Sequence, residues 1–138
     1  MGFFDRLLGK RPDAEPADAP ATSTPSTPEP AADPEAVARR ITEVEQSLTA
    51  DGADHAALHE ELGGLREQSG DPLGAITAYE ASLEERPRYG ESYNRLMDLY
   101  NTQRSQAAEA GDSAAINRWM SKIDELLATS KRIMRENY

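Results

Sequence analysis

From residue 34 onward, apolar side chains recur at helical intervals. Val37, Ile41, Val44 and Leu48 form a first stripe, and Leu58, Leu62 and Leu65 a second. Ala75, Ile76, Tyr79 and Leu83 make a third, and Tyr93, Leu96, Leu99 and Tyr100 a fourth. The fifth is the longest: Ile116, Trp119, Met120, Ile123, Leu126, Leu127, Ile133 and Met134, with Ser130 its one polar interruption. No alternating strand pattern occurs. The expected fold is all-α, a domain of about five helices over residues 34–138.

Stop and start signals divide the stripes. Asp33-Pro34 and Asp71-Pro72 each place an N-capping carboxylate before a proline in the first turn. Asp54 caps the second helix. Gly52, Gly70 and the Gly111-Asp112 pair end helices, as does Pro87. The first helix is expected to run to about Ala50, and the fourth from near Gly90 through the alanines to Ala110. Lys131, Arg132 and Arg135 fall in the last turns of the fifth helix, where the helix dipole favours cations.

Two further segments precede this domain. Residues 1–10 read as a short amphipathic helix with Phe3, Phe4, Leu7 and Leu8 on one face and Lys10 at its edge. Residues 11–33 hold Pro12, Pro16, Pro20, Pro25, Pro28 and Pro30 among small and acidic residues. Proline denies that segment a helix or a sheet, and it has little to bury, so a disordered linker is expected. At full extension it would reach roughly 70 Å.

Charge narrows the function. With 15 Lys+Arg against 25 Asp+Glu, the net charge is −10, which repels nucleic-acid phosphates. The head runs against this trend: Arg6, Lys10 and Arg11 outnumber Asp5. Three roles for the head stand open: weak contact with an anionic membrane, docking into a partner, or packing on its own domain. Position 6 is Arg6 where a myristoylation motif needs Ser or Thr. No apolar run is long enough to span a bilayer, and Asp5 and Arg6 interrupt what would be a signal sequence, so a cytoplasmic site is expected, with peripheral attachment to the inner membrane face as a variant.

Chemistry is sparse. The chain has no cysteine. Gly63-Gly64 lacks the Lys-Ser/Thr of a phosphate loop, and His55 and His59 lack the His-Glu-x-x-His order of a zinc protease. No catalytic residue, metal or cofactor is expected.

One spacing carries more. His59, Leu62, Gly63 and Arg66 are followed 34 residues later by Tyr93, Leu96, Met97 and Tyr100. With Ala75, Tyr79 and Pro87, these residues resemble the tetratricopeptide repeat, one copy fair and the second degenerate. The second departs in its turn, since Gly111-Asp112 stands 41 residues after Gly70-Asp71. The resemblance implies helical pairs, with Gly63 allowing close approach of the paired helix and Tyr79 filling the space between repeats. It implies a partner-binding face made by the first helix of each pair: Glu60, Gly64, Glu67 and Gln68, then Glu91, Asn94, Asp98 and Asn101. That face holds four carboxylates and no Lys or Arg, so a basic or neutral protein or peptide partner is expected. The expected role is a non-enzymatic adaptor, with an obligate subunit of a larger complex as the alternative. The fifth stripe is long enough to meet a second copy, with Ile133 and Met134 as the expected contacts, or to pack back on the fourth helix.

Overall fold

A computed structural model of the chain describes residues 33–137. The head (Phe3, Phe4, Leu7, Leu8, Lys10) and nearly all of the linker lie outside the described residues. Five helices follow one another: α1 Pro34–Ser47, α2 His55–Gln68, α3 Pro72–Glu85, α4 Glu91–Ala110 and α5 Ser113–Asn137. No strand occurs among the described residues.

The boundaries follow from capping. Asp33 accepts a hydrogen bond from the Glu35 amide, Asp54 from Ala57, Asp71 from Gly74 and Asp112 from Ala115. Gly111 closes α4 at φ 70°, a left-handed turn that only glycine adopts without strain. α1 stops at Ser47, short of the expected Ala50. Beyond it the Thr49 and Ala50 amides bond to carbonyls three residues back, and Thr49 Oγ1 donates to the Gln46 carbonyl at 2.7 Å. That tightened turn replaces the helical ladder.

Consecutive helices pack on one another, and α2 also touches α4. Two clusters form the core. Val44 and Leu62 meet Ala78 of α3, with Ile41, Leu48, Leu58 and Leu65 around them. Ala75, Ile76, Tyr79 and Leu83 of α3 meet Leu96, Leu99 and Tyr100 of α4 and Leu126 of α5. α3 thus feeds both clusters, and six of its residues are buried. All four stripes on α1 to α4 point inward as expected.

α5 departs from expectation. Leu126 and Ile133 are buried, and Ile116, Trp119 and Ile123 are half-buried. Met120, Leu127 and Met134 stand about half exposed. Of the two arrangements expected for Ile133 and Met134, Ile133 follows the one that packs within its own domain, at 2% exposed, whereas Met134 does not. Ser130 interrupts the stripe because it serves as a polar partner: its Oγ lies 2.5 Å from the Tyr89 hydroxyl, and its carbonyl accepts from that hydroxyl at 3.2 Å.

Candidate functional site: a polar face across α2 and α4

Close packing begins at Gly63. A Cβ there would lie 2.6 Å from the Tyr79 ring, so only a glycine admits the tyrosine beneath α2. Gly64 is less constrained, since its Cβ would meet only the Tyr79 hydroxyl oxygen at 3.7 Å. Seated against Gly63, Tyr79 reaches up from α3 and donates its hydroxyl to Glu67 Oε2 at 2.8 Å.

Glu67 is also gripped from α4. Arg95 donates through Nε to Oε2 at 3.0 Å and through Nη2 to Oε1 at 2.6 Å, a bidentate fork. Its Nη1 donates to Asp98 Oδ2 at 2.9 Å. The Arg95 guanidinium holds the Glu67 carboxyl below the usual carboxylate range, with help from the Tyr79 hydroxyl. Burial, and then the Glu67 carboxylate, push the Tyr79 hydroxyl well above its ordinary value.

Glu60 forms a second node. Arg88 donates to its Oε1 at 2.5 Å, and Ser92 Oγ of α4 donates to the same oxygen at 2.9 Å. Arg88 also donates to Ser82 Oγ at 3.0 Å, and that buried hydroxyl donates to the Ala56 carbonyl at 2.7 Å. These bonds join α2, α3 and α4 at one node between the two helical pairs.

The structure therefore brings Glu60 and Glu67 of α2 beside α4, but it corrects the expected charge. The face is not free of cations: Arg88 and Arg95 neutralise the two α2 carboxylates, and Arg104 reaches Asn101 Oδ1 at 3.4 Å. Asn101 is further committed, because its Nδ2 donates to the Met97 carbonyl at 2.9 Å. Gln68, Glu91 and Asn94 are exposed, with no side-chain bond among the described residues. Asp98 is exposed and keeps one oxygen outside the Arg95 bond.

Arg88 and Arg95 were the missed residues, and of the two Arg95 lies on a helix of the face. It lies four positions after Glu91 and three before Asp98. Those are the intervals at which helical side chains meet, so widening the wheel by one neighbour exposes it.

A separate groove of about 310 Å³ runs between α3 and α5, with Leu96 and Tyr100 of α4 also lining it. Glu80 closes part of it, accepting from Tyr100 and from Lys122 Nζ at 3.0 Å. Nothing in the residue pattern pointed there, because residues of three separate helices line the groove. His59 is half-buried, and its Nδ1, like Nε2 of His55, is buried without a hydrogen-bond partner. Among the described residues no three His, Cys, Asp or Glu side chains gather to hold a metal, and no described helix is long and apolar enough to cross a membrane.

No protein-family model, no curated protein and no solved structure matches this chain.

Proposed function

We propose that this protein is a non-enzymatic adaptor of tetratricopeptide-repeat type, whose α2–α4 face holds a segment of another protein. The observation that carries this reading is the fixed side-by-side placement of α2 and α4. Buried Tyr79 and the Arg95 fork set the two helices, while exposed Gln68, Glu91 and Asn94, and the Asp98 oxygen outside the Arg95 bond, are left without a structural task. Free amides suit an extended peptide, whose backbone N–H and C=O they match in pairs. A fixed scaffold lowers the ordering cost of binding.

With Arg88 and Arg95 counted, the face retains only a weak negative excess. A neutral or mildly basic segment fits it, and a strongly cationic one no longer follows. The basic amphipathic head would tether the adaptor reversibly to an anionic membrane on the cytoplasmic side, raising the local concentration of what it holds. An obligate subunit of a larger assembly is the second reading, favoured by the half-exposed apolar row on α5.

The test is capture of partners by the full chain and by an Asn94→Ala/Asp98→Lys variant of it, both substitutions lying at exposed positions. Loss of the same partner from the variant supports the face. Equal capture by both removes it. Sedimentation with anionic vesicles, with and without residues 1–10, tests the tether; vesicle binding that is unchanged or absent in both rules it out.

A further inference from the structure

We propose that the chain pairs with a second copy of itself through the exposed face of α5, the two α5 helices running antiparallel about an axis near Leu127. Met120, Leu127 and Met134 are 50%, 46% and 53% exposed, and they stand at intervals of seven residues along one side of the helix. Seven-residue spacing is the register at which two helices stay in contact along their length. Half-buried Ile116 and Ile123 border the row and widen it. The row spans about 21 Å at roughly 1.5 Å per residue.

Position in the array explains why the row is open. α3 has neighbours on both sides, whereas α5 packs chiefly on α4 and has no helix beyond it among the described residues. An end helix of a stacked array keeps an uncovered apolar side unless its sequence makes that side polar. Here the sequence keeps it apolar.

Charge selects the occupant and its direction. Asp124 and Lys131 lie along one flank of the row, three residues before and four after Leu127, and neither joins an ion pair among the described residues. An antiparallel pair centred near Leu127 sets each Asp124 beside Lys131 of the second copy, and each Met120 beside Met134 of that copy. A two-fold parallel pair would put the Asp124–Lys131 flanks of the two copies on opposite sides of the seam, where these charges find no partner in each other. A lipid surface fits less well, since Asp124 and Glu125 interrupt the middle of the helix where an interfacial helix carries cations. The two-fold arrangement would also present two α2–α4 faces in one particle.

Sedimentation equilibrium of the full chain tests this. The wild type is expected to dimerise and Leu127→Glu to be monomeric with unchanged helicity, the site being exposed. Asp124→Lys and Lys131→Asp should each weaken the dimer about tenfold, and the two together should restore it to within about threefold. Deleting residues 1–10 should leave the dimer intact. A wild type that stays monomeric up to about 1 mM overturns the proposal. So does a dimer indifferent to Leu127→Glu, or one lost with residues 1–10, which would make the head the occupant of the row. A monomer that binds anionic vesicles through Leu127 would likewise overturn it in favour of lipid.

Discussion

The two helical pairs, α2/α3 and α4/α5, are built from similar devices yet end in different states. Each starts its second helix after a left-handed glycine and an aspartate cap, Gly70-Asp71 and Gly111-Asp112. Each sets an aromatic four residues after a buried alanine, Tyr79 after Ala75 and Trp119 after Ala115. Yet Tyr79 is 2% exposed and Trp119 is only half-buried. The first pair lies between α1 and α4; the second has a neighbour on one side. Burial here is decided by position in the array more than by the residue type that the sequence offers.

The largest effect should come from the buried aromatic of the first pair. Tyr79→Ala removes a ring that fills the space under Gly63 and leaves Glu67 short of a donor, a loss of about 3–5 kcal/mol. Trp119→Ala, at the corresponding place one pair later, should cost about 1–3 kcal/mol, because its ring is only partly buried. Urea unfolding of both variants measures the gap. Equal losses would mean that the second pair is covered in solution, and so would bear on the pairing of α5.

Gly63→Ala comes next. Its Cβ would sit 2.6 Å from the Tyr79 ring, and overpacking of this kind costs about 1–3 kcal/mol. The counterpart position holds Met97, whose side chain is partly buried against the cluster of α3, α4 and α5 residues. Met97→Ala should therefore cost less than Gly63→Ala, and the reverse order in melting temperature would break the comparison between the pairs.

These contrasts also mark what the sequence could disclose. Helix number, caps and the inward stripes of α1 to α4 were legible, because periodicity and capping are local. Close approach of the paired helix at Gly63 was expected from the repeat pattern, but the residue that meets it is Tyr79, which was expected between repeats. The Arg95 fork was not, since a bidentate bond across two helices depends on their distance as well as on spacing along each. The exposure of Met120 and Leu127 was equally hidden, and that of Met134 was only one of two arrangements expected. An apolar stripe states which residues avoid water and is silent on which neighbour is present to exclude it.

Acid should loosen the junction between the pairs. Glu67 of α2 is held by Arg95 of α4, and its carboxyl titrates below the usual value of about 4.3. A depressed folded-state value means stabilisation that is present above the unfolded value and lost as pH falls through the folded one. Asp54, held by the Ala57 amide and Arg86, and Glu61, held by Arg40, act in the same direction. Stability should therefore decline below about pH 4, and Glu67→Gln should flatten that decline in a urea series. At the other extreme, Tyr79 and Tyr100 titrate above their ordinary value, chiefly through burial. Their contribution is complete below about pH 10 and is lost as pH rises beyond it. Tyr79→Phe should reduce the alkaline loss from the first pair alone.

The smallest effects should fall on exposed leucines, and there concentration separates the pairs. Leu73 on α3 is 54% exposed and Leu127 on α5 is 46% exposed. In dilute solution, either leucine replaced by glutamine should change stability by no more than about 0.5 kcal/mol. Raising the protein concentration leaves a monomer's melting temperature fixed but raises that of a chain whose folded state associates. Wild type and Leu73→Gln should then rise together while Leu127→Gln stays behind. If all three rise together, association runs through some other surface. If none rises, α5 ends the array with its apolar row open to water.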